Sequence, residues 1–372
     1  MIKVGITGQT GFIGTHLYNY LSLKKNEVEL IPFQDDYFKD PKKLETFVTH
    51  CDAIVHLAAL NRHNDSQTIY DTNIELVRKL ILAMDLSHVT PHVLFSSSTQ
   101  EERDNVFGKS KREGRQLLAK WAEQSGAIFT GMVIPNVFGP FGSPYYNSVV
   151  ATFSHQLTHN EQPKIEVDAQ LKLIYVGDLV RIIYYLIKNG VADDQFAIIP
   201  TDEARVTELL VLLQSFRAQY LEEGIIPDLS DHFERNLFNT FMSYIDHSKF
   251  FPRKLKLNID DRGSFVETVK LKSGGQISFS TTRPGVTRGN HFHIRKAERF
   301  VVIRGKARIQ LRRVGTDRII DFELDGNTPS YVDMPVWYTH NITNTGDDDL
   351  YTIFWISEPF DPTDPDTFIE RV

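Results

Sequence analysis

Disulfide chemistry is missing from this chain: Cys51 is the one cysteine in 372 residues, a usage that fits a reducing compartment. It stands just before the apolar run 53–57 and is expected as a small buried hydrophobe. No apolar stretch approaches the ~18 residues that a membrane span needs. Strand-like residues begin directly after Met1, which leaves no room for a secretory leader. The expectation is a cytoplasmic protein without a membrane partner. Basic excess is missing too. A formal net charge of -7 argues against nucleic acid as a partner, because phosphate binding rests on concentrated Lys and Arg. The local run Arg304, Lys306, Arg308, Arg312 and Arg313 alternates along a strand-like segment and is expected as a solvated face.

What is present is enough for two cores. With 41% hydrophobic and 24% charged residues over 372 positions, the chain falls in the soluble globular class, and its length favours two domains. The first two-thirds alternates apolar strand-like runs (2–7, 28–31, 53–58, 93–97, 128–134, 173–176) with helical spacing (69–84, 110–123, 209–221, 231–244). That alternation predicts an α/β, doubly wound parallel sheet of Rossmann type. From residue 255 the chain turns to short apolar/polar alternations punctuated by Gly, Pro and Asp, such as 276–280, 300–304, 307–311 and 351–356. These predict an antiparallel all-β barrel. The expected domains are 1–247 and 248–372, with 360–372 as an extended tail packed on the barrel.

The first strand-like run leads into Thr7-Gly8-Gln9-Thr10-Gly11-Phe12-Ile13-Gly14. In such a turn Gly8 permits the tight bend, and Gly11 lets backbone approach a pyrophosphate. Gly14 allows close packing of the following helix, whose N-terminal amides around Phe12 and Ile13 favour an anion. This spacing resembles the extended branch of the short-chain dehydrogenase/reductase superfamily, which acts on sugar nucleotides. Val55-His56-Leu57-Ala58-Ala59, Asn73 and Pro135-Asn136-Val137-Phe138-Gly139-Pro140 are similar to further elements of that family. The resemblance implies a nicotinamide dinucleotide held by Gly8, Gly11, Phe12, Ile13, Gly14, Leu57, Ala58, Asn73, Lys111, Pro135 and Asn136. It also places a catalytic hydroxyl at Ser98.

The family's catalytic pair is Tyr-x-x-x-Lys, and here the segment reads Phe107-Gly108-Lys109-Ser110-Lys111. Lys111 is present, but Phe107 has no ionisable proton, so ordinary acid/base work cannot occur there. Three readings stay open. The domain binds cofactor without reducing, another donor such as Ser98, Thr99 or an ordered water serves, or Phe107 replaces a natural tyrosine. After the second strand, Asp35 and Asp36 offer no cation for a 2′-phosphate and favour NADH over NADPH.

In the second domain Gly285, His291, His293, Glu298 and Gly305 reproduce the first cupin motif. Pro335-Val336-Trp337-Tyr338-Thr339-His340, with Asn344, resembles the second, with Trp337 where glycine is usual. Two imidazoles at i and i+2 point to one side of a strand, and a carboxylate on the neighbouring strand joins them. His291, His293, Glu298 and His340 are the expected metal ligands, with zinc first among borderline ions and iron, nickel or manganese open. Asp260-Asp261-Arg262-Gly263-Ser264-Phe265 and Arg288-Gly289-Asn290-His291 are similar to segments of the dTDP-4-keto-6-deoxy-sugar 3,5-epimerases. That similarity implies nucleotide-phosphate contacts at Arg262 and substrate contacts at Arg288.

Over essentially its whole length the sequence resembles the CapF-type bifunctional enzymes of bacterial capsule and O-antigen synthesis. Matching segments include Asn61-Arg62, Tyr146-Asn147-Ser148-Val149 and Tyr338-Thr339-His340-Asn341-Ile342. The resemblance implies C3 epimerisation of a UDP-2-acetamido-2,6-dideoxy-4-hexulose in the cupin and NADPH-dependent reduction of its C4 ketone in the Rossmann domain. It further implies Asn147 as a substrate contact, Tyr338 as a proton donor and a homodimer. An epimerase whose Rossmann domain only binds nucleotide is the rival reading; a nucleotide-sugar sensor without catalysis is a third.

Overall fold

The computed structural model describes residues 1–260, 263–266, 268–272, 274–358 and 360–372. Arg262, expected at a phosphate, lies outside them. The chain divides into two compact units: Met1–Phe138 with Gln170–Ala204, and Gly139–Ala169 with Arg205–Val372. Segments 139–169 and 205–247, grouped with the Rossmann domain on sequence, thus pack within the second unit.

The first unit is built on a six-stranded parallel sheet. From one edge its strands are Val28–Ile31, Ile2–Thr7, Ala53–His56, His92–Ser98, Phe129–Ile134 and Asp193–Ala197. Buried on both faces, the central strands carry unbroken apolar runs, as parallel strands under helices do. One face packs Val4, Leu17, Leu94, Met132 and Ile183; the other packs Phe47, Ile54, Phe95, Leu118 and Trp121. Each such side chain contributes about 1.5–3 kcal/mol by leaving water. The helices start at side-chain caps. Asp65 accepts from the Gln67 and Thr68 amides ahead of Ser66–Leu86, and Asn105 accepts from Gly108 N ahead of Val106–Ser125, each worth about 1 kcal/mol.

In the second unit the helices Val149–Thr158, Val206–Phe216 and His232–Met242 share an aromatic core, with Phe216 edge-on to Phe238 at 5.3 Å. Among the described residues two five-stranded antiparallel sheets follow. One is ordered Arg253–Lys254, Ser330–Met334, Glu298–Arg304, Leu350–Ile356, Gln276–Thr282. The other is ordered Ile319–Asp325, Lys306–Arg313, Tyr338–Asn344, Thr287–Phe292, Phe368–Ile369. Val302, Ile309, Leu311, Phe322, Met334 and Ile342 fill the barrel core. The tail does pack on the barrel. Phe368 pairs with Phe292, and the Asp366 carboxylate accepts from the amides of Ile294, Arg295 and Lys296 at 3.0–3.2 Å. Cys51 is buried in the first unit, and its burial pushes the thiol up to about 12. Among the described residues no helix is long and apolar enough to cross a membrane.

Candidate active sites

At the end of the first strand, Gly8 adopts φ +71°, and a Cβ there would lie 2.8 Å from Ala58 N. A Cβ on Gly14 would lie 2.1 Å from Gly8 O. Gly14 therefore protects the turn itself, rather than the helix–sheet contact expected of it. The helix Phe12–Ser22 starts at Gly11 without a side-chain cap, so its first-turn amides are left for a ligand. Phe12 and Ile13 are half-buried there. Leu57 N bonds Thr7 O at 3.1 Å, and Ala58 N reaches Thr7 Oγ1 at 3.4 Å, which binds this strand end to the glycine turn. Pro135 is buried, and Asn136 is exposed with Nδ2 donating to Lys172 O at 3.2 Å. Asp36 is tied to Lys43 at 3.0 Å.

Lys111 is 5% exposed and, among the described residues, has no carboxylate in hydrogen-bond contact. Its Nζ lies 3.5 Å from Ser96 Oγ, 5.1 Å from the Phe95 ring and 5.7 Å from the Phe107 ring. Burial pushes the ammonium down to about 8, with Glu101 pulling the other way. Glu101 itself is engaged by Arg115 at 2.7 Å and by the Ser97 hydroxyl. Beneath the lysine, His56 is neutral, pushed down to about 3 by burial and then by Lys111. Ser98 Oγ accepts from Gln100 N at 3.2 Å, which leaves its own proton free to donate. Asn73 has both amide hydrogens engaged: Nδ2 donates to Leu60 O at 3.2 Å and Ser110 Oγ at 3.0 Å, while Oδ1 accepts from Leu60 N at 2.7 Å. It therefore anchors the helix carrying Lys111 instead of presenting a free amide.

In the second unit the ligand atoms of His291, His293, Glu298 and His340 lie within 4.8 Å of one another. His291 and His340 face each other across paired strands. Glu298 comes from the opposing sheet, not from a strand paired with that of His291 as the sequence suggested. A bulge makes the pairing possible: Gly289 pairs with Asn341 and His291 with His340, leaving Asn290 extra at φ +58°. His293 Nδ1 donates to the Asp366 carbonyl, so Nε2 presents its lone pair. The Nε2 atoms of His293 and His340 stand 3.2 and 2.9 Å from Glu298 Oε2. Among the described residues these three buried atoms have no hydrogen-bond partner. Burial, then His340, pushes His291 down to about 4. Burial alone would raise Glu298, but His293 and His340 outweigh it and hold it ionised. Three imidazoles and a carboxylate aimed at one point, with the buried polar atoms of His293, Glu298 and His340 otherwise orphaned among the described residues, fit a divalent ion.

Two residues along the strand from His340, Tyr338 pairs with Arg313. Tyr338 stacks on His247 at 5.2 Å and lies 6.2 Å from Phe141; burial raises its pKa. Arg313 was expected on a solvated face, yet it shares the inward parity of Ala307, Ile309 and Leu311 and sits 3.6 Å over the Phe141 ring. Among the described residues no carboxylate pairs with it. Its inward parity was the signal available in the sequence. His247 and Phe141 gave none, because only the fold brings them to the barrel. Arg288 is exposed on the same face as His291, opposite Ile342, and Asn147 is exposed ahead of Val149–Thr158. Trp337 occupies φ +63° and stacks on Phe292 at 5.6 Å. The backbone conformation explains why glycine is usual there, and the stack explains why tryptophan holds.

Comparison with known proteins agrees with this arrangement. Residues 4–199 match the NAD dependent epimerase/dehydratase family, and residues 258–368 match the polysaccharide biosynthesis C-terminal domain. A Pseudomonas aeruginosa UDP-2-acetamido-2,6-beta-L-arabino-hexul-4-ose reductase is 32% identical over 369 residues, 99% of this chain and 98% of that protein. The crystal structure of the capsular polysaccharide assembling protein CapF from Staphylococcus aureus is 34% identical with a TM-score of 0.62, covering 100% of both chains. RMD from Pseudomonas aeruginosa, complexed with NADPH, shares the fold at 21% identity and a TM-score of 0.52, over 58% of this chain and 82% of its own. The chain thus belongs to the NAD dependent epimerase/dehydratase family and, within it, to the CapF-type nucleotide-sugar enzymes that end in a polysaccharide biosynthesis domain.

Proposed function

We propose that this chain is a bifunctional capsule or O-antigen enzyme acting on a UDP-2-acetamido-2,6-dideoxy-4-hexulose. Residues 248–372 epimerise C3, and residues 1–247 reduce the C4 ketone with NADPH or NADH to a UDP-6-deoxy-talose-type sugar, N-acetyl-L-pneumosamine. The observation that carries the reading is one chain holding both a glycine cradle beside a desolvated Lys111 and the four-residue cluster around Glu298.

His291, His293, Glu298 and His340 would hold a divalent ion, zinc by preference, which supplies Lewis-acid polarisation of a carbonyl when bound. Arg313, stacked on Phe141 and without a carboxylate partner among the described residues, offers a cation to an anionic part of the substrate. Tyr338 retains its proton because burial raises its pKa, which suits it to donate to the sugar face opposite the departing C3 proton. In the Rossmann unit, Gly8, Gly11 and Gly14 shape the backbone around a dinucleotide, whose nicotinamide supplies hydride when bound. Lys111 orients the ribose and stabilises charge developing at the substrate oxygen, while the Ser98 hydroxyl is positioned to donate.

Phe107 favours a second reading: an active epimerase with a silent reductase. The test is incubation with the UDP-4-keto sugar and NADPH or NADH in D₂O. Deuterium at C3 together with cofactor oxidation supports the bifunctional enzyme. Deuterium at C3 without oxidation selects the second reading, and neither signal refutes both.

A further inference from the structure

Between the ligands His293 and Glu298 the chain runs through Ile294, Arg295, Lys296 and Ala297 outside any strand. The amides of this loop have no ladder to join, and partly buried N–H groups must find acceptors elsewhere. Asp366 supplies them. Its Oδ1 accepts from Ile294 N at 3.2 Å, and its Oδ2 accepts from Arg295 N and Lys296 N at 3.1 and 3.0 Å. Its carbonyl accepts from His293 Nδ1. One residue, 3% exposed, thus holds four consecutive positions, 293–296. It does so at φ +42°, a left-handed conformation in which aspartate is enriched over most side chains.

Neighbouring contacts extend the same fastening. Ala297 N donates to the Ser357 hydroxyl at 3.1 Å, and Ala297 O accepts from Ser357 N at 3.0 Å. Arg295 reaches Glu358 from Nε at 3.0 Å and Asp364 from Nη2 at 2.8 Å. The buried Lys296 ammonium donates to Pro365 O at 2.8 Å. Beyond Asp366, Phe368 stacks on Phe292 at 5.4 Å and Ile369 pairs with His291. Glu370 O accepts from the hydroxyl of Thr339, the residue before His340, at 2.5 Å. Contacts from Ser357, Glu358 and the tail 360–372 therefore reach, or come within one residue of, all four ligand positions. Among the described residues the barrel core is built without a side chain from that tail, so its contacts converge on the ligands instead.

We infer that Asp366 is a positioning residue for the metal site and that the C-terminal tail is its strap: docking of 360–372 fixes the loop joining His293 to Glu298, so metal affinity and tail docking rise and fall together. The inference rests on the proposed metal site at His291, His293, Glu298 and His340. With the tail undocked, His293 loses the acceptor that sets its tautomer, and the loop amides lose the carboxylate that sets the spacing between two ligands. The coupling is reciprocal: the factor by which a docked tail tightens metal binding is the factor by which bound metal tightens tail docking.

The test measures zinc affinity of the full chain by competition with a chromophoric chelator, and amide hydrogen exchange in 360–372 with and without zinc. Asp366→Gly keeps the left-handed backbone and the carbonyl but removes the carboxylate, and should weaken zinc binding about 10–100-fold. Asp366→Asn, which retains one side-chain oxygen, should fall between parent and glycine variant. Phe368→Ala, which alters no group at the loop, should also weaken zinc binding by loosening the tail. In the parent, zinc should slow exchange in the tail. A purely structural role would destabilise metal-free and metal-loaded chains alike, leaving zinc affinity equal across the series and tail exchange indifferent to zinc. That result would overturn the inference while the metal site stands. A parent chain that binds no zinc would refute the metal site itself, and the inference with it.

Discussion

Restoring a phenol at position 107 perturbs the proposed reductase at its one missing part. Phe107→Tyr adds a single oxygen to a half-buried ring on the helix that carries Lys111. Lys111 Nζ stands 5.7 Å from that ring. Unit charges at that separation interact by about 3 kcal/mol at an effective dielectric of about 20. That favours the phenolate about a hundredfold and draws the phenol toward working pH, where a general acid is most effective. A positioned acid contributes ~10²–10⁴ in rate, or about 3–5 kcal/mol of barrier. The assay follows loss of reduced-nicotinamide absorbance with the UDP-4-keto sugar, and C3 deuterium exchange serves as the internal control. Reduction should rise about 10²–10⁴-fold while exchange stays constant. A gain below about threefold, with cofactor affinity intact, would refute the reasoning, because it would mean that another hydroxyl already delivers the proton at full rate.

Chelation should abolish C3 exchange, and Glu298→Gln should leave the purified chain nearly metal-free by elemental analysis; full occupancy in that variant would remove Glu298 from the ligand set. Gly14→Ala puts a Cβ 2.1 Å from Gly8 O, so the turn must shift. Cofactor should bind at least about tenfold more weakly, with about 1–3 kcal/mol lost in denaturant titration. Lys111→Met tests the buried cation through pH. The folded-state pKa is depressed to about 8, so below it the lysine is protonated in both states. Between about 8 and its unfolded value near ~10.4 the unfolded chain binds more protons, and native stability rises with pH. Comparing parent and variant by denaturant unfolding at pH 7.5 and 10, the parent should gain about 2–3 kcal/mol on the variant; a constant gap would show that burial does not shift this lysine.

The Rossmann sheet was legible because parallel strands covered on both sides leave unbroken apolar runs such as 53–57, whose periodicity is unambiguous. Its edge strand Asp193–Ala197 escaped notice because Asp-Asp-Gln-Phe-Ala carries almost no apolar signal. Helix ends moved outward where first turns beginning at Ser66 and Val106 are held by the caps Asp65 and Asn105. The clustering of His291, His293, Glu298 and His340 could be anticipated from spacing, since strand parity is local information. That Glu298 reaches them across two sheets could not, because sheet pairing is decided by contacts distant in sequence. The same applies to Arg313: its parity was readable, but the Phe141 ring that it covers lies far away along the chain.

The extra residue at Asn290 makes the cupin strand sensitive to length as well as to composition. Ahead of the bulge, Arg288 pairs with Ile342; after it, His291 pairs with His340. Removing residue 290 would leave a regular two-step count, which keeps His291 on the Arg288 face opposite His340 but takes away the bend and twist that the bulge imposes. Substitutions at position 290 that tolerate a left-handed backbone, such as glycine, preserve the count. In a sequence library this segment would therefore keep the face of His291 on loss of residue 290, at the cost of the bulge's twist, whereas one added residue would turn His291 to the reverse side.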